Sequence, residues 1–260
     1  MKPLLHLALL ISSLAAAQQT AAQQTSTQQR PFAPSPEPTQ DLQRLGSAAD
    51  ALAHSLPSFT CQEMVISQRR HGKKVDQQTN FTANLRVNRA ADGSLSESFL
   101  VTNLNGNPFS GGSFNSPVYV SGGFDRAMIY FSPSLQPCFH YQLSAHRIDF
   151  ESAPDPTCTY QGTRGFALLD ADGNVTHLER NVSPDVARHL GLADFAVFDF
   201  SDVNLNGRTY RLSRHLLAEV NQGRTTGRFE ATYANCHLFA ATVTIGPATE
   251  IPPDNTTKPQ

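Results

Sequence analysis

Residues 202–212 read DVNLNGRTYRL, and this short stretch decides the kind of fold. Asn206-Gly207 is the preferred dipeptide for a two-residue type I′ turn, because both central positions of that turn need a positive φ. Folding the chain there places Leu205 opposite Arg208, Val203 opposite Tyr210 and Asp202 opposite Arg211. One face of the hairpin then carries Val203, Leu205, Tyr210 and Leu212, and the other is polar with a cross-strand ion pair. The same residues match the opening D-x-N-x-N-G of a calcium-binding loop. The twelfth position of such a loop needs a bidentate Glu, but here it is Ser213, and strands stand where helices should flank it. A β-hairpin explains every residue without a metal.

The same period of two recurs on both sides of this hairpin. In NFTANLRVN (80–88), Phe81, Ala83, Leu85 and Val87 point one way and Thr82, Asn84, Arg86 and Asn88 the other, which describes a strand with one dry and one wet face. The turn ADGS leads into SLSESFLVTN (94–103), where Leu95, Phe99 and Val101 share a face. GFALLDADGNVTHLER (165–180) reads as a second hairpin, with Gly173 able to take a positive φ. Further strands are expected around YQLSAHRIDF (141–150), RLSRHLLAEV (211–220) and RFEATYANCHLFAATVTI (228–245). In the last, the apolar positions change parity between Tyr233 and Leu238, which predicts a bulge near Asn235.

Helical spacing is confined to QDLQRLGSAADALAHSL (40–56), with Leu42, Leu45, Ala49, Leu52 and Leu56 on one stripe and Pro57 as the stop. SPDVARHLGLADF (183–195) adds a short helix. NGNPFSGGSFNSPVYVSGG (105–123), rich in Gly, Ser and Asn, is the best candidate for a mobile flap. Eight to eleven antiparallel strands after one helix make an α+β domain. Its expected architecture is a large curved antiparallel β-sheet, an incomplete barrel, with an N-terminal amphipathic helix and short covering helices or loops. One apolar face of such a sheet must be covered by protein or by a ligand.

The ends have a different character. MKPLLHLALLISSLAAAQQ combines Lys2, an apolar run from Leu4 to Leu14 and small residues at Ala15 and Ala17. This reads as a secretory signal peptide (1–17) cleaved after Ala17, too short to serve as a membrane span, which places the chain in the periplasm or outside the cell. Residues 18–39 form a Gln/Thr/Pro-rich disordered linker, 40–246 the single domain, and 247–260 a disordered tail. The formal net charge is −2, and 20 Lys and Arg are scattered through the chain. Nucleic acid is therefore not an expected partner, because phosphate binding needs a concentrated basic face. The one basic cluster, Arg69, Arg70, His71, Lys73 and Lys74, reads as a solvated hairpin tip.

Catalytic and metal-binding patterns are few. His140 and His146 share a strand face but are roughly 20 Å apart at about 3.3 Å per residue, too far for one ion. His177, His189, His215 and His237 lie on separate elements without metal-ligand spacing. Asp149 and Glu151 share a strand face and in principle could divide acid and base roles, yet nothing separates them from a solvated strand edge. There is no G-x-S-x-G, no H-E-x-x-H and no phosphate loop. Neither an enzyme nor a cofactor is expected. Four cysteines, Cys61, Cys138, Cys158 and Cys236, favour disulfides in an exported chain, and without a C-x-x-C pair they suit neither redox nor zinc chemistry. Of three possible pairings, Cys138 with Cys158 is the shorter-range couple, which leaves Cys61, at the start of the first strand, for Cys236 in the last.

LPSFTCQE (56–63), GFALLDADGNVTHLER, VNLNGRTYRL and ANCHLF (234–239), after a signal peptide and one helix, carry a resemblance. Over roughly residues 40–245 the chain resembles the periplasmic lipoprotein-carrier superfamily, the fold of LolA, LolB and RseB, and within it a group of uncharacterised exported bacterial proteins. The resemblance implies a concave apolar face that holds acyl chains under a helical lid. It points to a non-enzymatic protein binding a lipid, a lipidated protein or another apolar ligand. An envelope protein-interaction or stress-sensing module is the alternative, and a secreted hydrolase with an unfamiliar site the third.

Overall fold

A computed structural model describes residues 39–239 except Ser113, Gly122 and Asp125, with Gln222 described by its backbone alone. The expected signal peptide (1–17), the linker (18–39, apart from Thr39), the end of the last expected strand beyond Phe239 and the tail (247–260) lie outside the described residues.

Helix α1 spans Gln40–Ser55, and the Thr39 hydroxyl accepts from the Leu42 N–H at its start. Leu42, Leu45, Ala49, Leu52 and the following Leu56 are buried, so the predicted stripe is the packed one. The carbonyls left over at the C-terminal end are met by Arg89, whose guanidinium donates to the carbonyls of Leu56 (2.5 Å) and Ala53 (2.9 Å).

The strands are β1 (Phe59–His71), β2 (Lys74–Arg89), β3 (Leu95–Leu104), β4 (Asn107–Pro108), β5 (Phe139–Ser144), β6 (Arg147–Ser152), β7 (Thr163–Leu169), β8 (Val175–Val182), β9 (Phe195–Leu205), β10 (Arg208–Gln222) and β11 (Thr225–Leu238). A second helix, α2, occupies Pro184–Leu190 between β8 and β9. All eleven strands form one sheet in the order β4-β3-β2-β1-β11-β10-β9-β8-β7-β6-β5. Each step pairs antiparallel strands that are consecutive in the chain, except at the middle, where the first strand pairs with the last. The sheet stays open, because β4 and β5 form its two edges and do not pair with one another.

The register of the Asn206-Gly207 hairpin is the predicted one: Leu205 faces Arg208, Val203 faces Tyr210, and Asp202 faces Arg211 at 3.1 Å. Both turn residues have positive φ (52° and 83°). The bulge near Asn235 is also present, since Asn235 has φ 53° and the β1–β11 register slips between Thr60 and Gln62. Two readings need correction. YQLSAHRIDF is not one strand but the hairpin β5–β6, turning at Ala145 and His146, so His140 and His146 do not share a strand. The change of buried parity from Phe139 and Tyr141 to Ile148 and Phe150 is the trace of that turn. The segments RTYRL and RLSRHLLAEV belong to a single strand, β10.

The inner face is dry. Phe59, Val65, Phe81, Leu85, Phe229 and Tyr233 are buried at its centre. It is covered by α1, by α2 with the loop after it, and by the irregular segment that crosses from β4 to β5, called the strap here. The strap is packed onto the sheet. Phe124 stands edge-on to Phe59 (5.3 Å) and Tyr233 (5.0 Å), and Tyr119 meets Phe229 (5.3 Å). The buried Ser67 hydroxyl accepts from the Val118 N–H (3.0 Å) and donates to the Val118 carbonyl (2.7 Å). Gly227 leaves room for this approach, because a Cβ there would come within 3.2 Å of Val118. Two disulfides, Cys61–Cys236 and Cys138–Cys158, join β1 to β11 and the start of β5 to the loop between β6 and β7.

Candidate ligand-binding cavity

Over β1, β2 and β11 the strap fills the inner face, but over β8, β9 and β10 it stands off and leaves a cavity of about 930 Å³. That size lies within the ~300–1,000 Å³ typical of small-molecule sites. The apolar wall comes from Val118 and Ile129 of the strap, Phe198 on β9, Leu216 and Val220 on β10, and Leu192 beyond α2. The room comes from small residues: Ala127, Ala187, Ala193 and Ala196 stand where larger side chains would close it. Gly191, with φ 65°, ends α2 in the left-handed conformation and returns Leu192 and Ala193 to the cavity at once.

The polar part of the lining is mainly basic: Arg126, Arg180 and Arg188 against Asp194. Arg188 is exposed and paired with Asp185. Asp194, 8 % exposed, accepts the backbone N–H of Asn221. Arg180 on β8 is 5 % exposed and donates from Nη1 to the Ala193 carbonyl at 2.9 Å. Tyr130 lines the same end; burial pushes its phenol up to about 12, and the positive charge of Arg180 works against that rise.

None of the four cysteines lines this cavity. Asp149 and Glu151 project from the opposite face of β6 to the buried Ile148 and Phe150, and Asp149 is held by Arg147 at 2.6 Å. Neither lines the cavity. Among the described residues no group of three or more His, Cys, Asp or Glu is arranged to hold a metal ion. On the outer face, however, the sheet assembles a cluster that the sequence reading kept apart. His177 Nδ1 and His215 Nδ1 contact the two oxygens of Asp199 (2.7 and 2.9 Å), and His215 Nε2 lies 3.2 Å from Glu230. Counting from the Asn206-Gly207 turn would set Phe198 opposite His215; a register shift between Ser213 and His215 brings Asp199 there instead.

Glu63, which no motif in the sequence singles out, is fully buried on the inner face of β1 between Ala83 and Tyr233. Neither of its carboxylate oxygens is in hydrogen-bond geometry, nor are the hydroxyls of Tyr119 and Tyr233. Burial, and then the charge of Glu97, raise the Glu63 carboxyl to about 8, and the nearby Tyr233 hydroxyl only partly offsets them.

No protein-family model matches the chain, and no curated protein matches it. Among solved structures, it is similar to a DUF1329 family protein from Desulfovibrio piger, with 11 % identity, coverage of 80 % of this chain and 96 % of that one, and a TM-score of 0.42. It is also similar to a LolA superfamily protein from Nitrosomonas europaea, with 10 % identity, 77 % and 94 % coverage and a TM-score of 0.33. A third similar structure is a Vibrio parahaemolyticus domain described as an outer membrane lipoprotein-sorting protein, with 9 % identity, 74 % and 90 % coverage and a TM-score of 0.39.

Proposed function

We propose that the chain is a non-enzymatic binding protein that holds an apolar ligand, a lipid or the acyl chain of a lipidated protein, between the strap, α2 and the inner face of β8–β10. The observation that carries this reading is the cavity of about 930 Å³ walled by Val118, Ile129, Phe198, Leu216 and Val220. Burial of acyl methylenes against such a wall supplies about 0.8 kcal/mol for each CH₂ removed from water, so a chain of a dozen or more carbons has ample driving force. We place the protein in the periplasm or outside the cell, exported with cleavage after Ala17; two disulfides suit an oxidising compartment.

Protein purified from periplasm is expected to carry a co-purifying lipid in native mass spectrometry and, once delipidated, to bind a fluorescent fatty acid. Ala196 is 1 % exposed on the cavity floor, and Ala196→Trp is expected to obstruct that part of the cavity and weaken the binding at a stability cost of about 1–3 kcal/mol. No lipid in the native protein together with no binding of the fatty acid would overturn the reading.

A further inference from the structure

We propose that the cavity takes a single-chain amphiphile with an anionic head, a carboxylate or a phosphate monoester, and that Arg180 holds the head. This rests on the cavity being a ligand site. The observation behind it is a buried cation with no ion-pair partner among the described residues. A guanidinium carries five N–H donors and stays charged at any relevant pH. Arg180 is 5 % exposed, its hydrogen bond is to the Ala193 carbonyl, and no carboxylate among the described residues forms an ion pair with it. A charge taken out of water without an opposite charge costs several kcal/mol. The neighbouring groups do not relieve it: Arg188 is itself basic and paired with Asp185, and Asp194 is engaged by the Asn221 N–H.

A planar guanidinium on the wall of an apolar cavity is completed by a head with two acceptor oxygens, which it can meet with two parallel N–H bonds. The head then lies by Tyr130 and the loop after α2, and the tail runs along Val118, Ile129, Phe198 and Leu216. A neutral alcohol of the same chain length keeps the burial of the tail and loses the charge-assisted bonds. This sets the size of the effect: one such bond is worth about tenfold or more in affinity.

Isothermal titration of the delipidated chain with hexadecanoate, hexadecyl phosphate and hexadecanol tests the assignment. At least one of the two anions is expected to bind about tenfold or more tightly than hexadecanol, and Arg180→Met and Arg180→Gln are each expected to erase the difference while still binding the alcohol. A preference for one anion over the other identifies the head. Equal binding of all three by the wild type, or a preference that survives in either folded variant, overturns the role of Arg180 and leaves the apolar-ligand reading standing. Binding of none of the three overturns both. The head-group comparison on the wild-type chain needs no variant, so it can overturn the assignment even where a variant does not fold.

Discussion

At the scale of single residues, Glu63 is the position where local pattern and global surroundings disagree most. Its parity with Phe59, Cys61 and Val65 on β1 puts a carboxyl among apolar neighbours, and the structure buries it completely with neither oxygen in hydrogen-bond geometry to the described residues. With its folded value near 8 against an ordinary 4.5, the folded chain keeps a proton there that the unfolded chain releases. Stability on this account is fully present below about pH 4.5, falls as pH rises toward 8, and is then level; the total change is roughly 4–5 kcal/mol. Urea denaturation at pH 5 and pH 8 should show the loss in the wild type. Glu63→Gln is expected to flatten the profile and to raise stability at pH 8. An unchanged slope in Glu63→Gln would mean that the loss comes from other groups. The parity of Glu63 is visible in PSFTCQEMV, but its isolation is not, because that depends on Tyr119 and Phe124 arriving from the strap.

At the scale of elements, the strap shows how far composition can mislead. Its Gly, Ser and Asn residues suggested a mobile flap, yet Phe124 is buried in the core and Val118 is tied to Ser67, 51 residues away. Ser67→Ala leaves the Val118 N–H without its acceptor, at a cost of about 1–3 kcal/mol for an unsatisfied buried group. Hydrogen exchange at Val118 and its neighbours is expected to quicken in that variant while exchange in β9 and β10 stays as it was. Uniform acceleration across the sheet would instead mean that the bond supports the whole fold. The Asn206-Gly207 hairpin was legible because its turn needs two positive-φ residues and the dipeptide supplies them locally. The β5–β6 hairpin was not, since Ala145 and His146 carry no turn chemistry and only the parity of the flanking residues betrays the reversal. The bulge that delivers His215 to Asp199 is likewise silent in the strand pattern.

At the scale of the whole molecule, β1 and β11 are the longest-range neighbours, and the Cys61–Cys236 bridge, with a sequence separation of 175, fastens them where they pair. On the chain-entropy model its removal as Cys61→Ser with Cys236→Ser costs about 5 kcal/mol, and removal of the 20-residue Cys138–Cys158 link costs about 3 kcal/mol. Thermal or chemical denaturation of the two double variants should rank them in that order, and non-reduced peptide maps of the exported chain should recover both links. A free Cys61 thiol would break this account. The strand-rich α+β class, the stripe of α1, the hairpin register at Asn206-Gly207 and the bulge at Asn235 were all legible before folding, because each follows from side-chain period or turn chemistry within a few residues. That the inner face is filled over β1, β2 and β11 and open over β8–β10, and that Arg180 is buried there with no ion-pair partner among the described residues, follows from long-range packing alone. Those properties depend on where a strap and a short helix land on a sheet whose strands come from across the chain, and no local period records that distance.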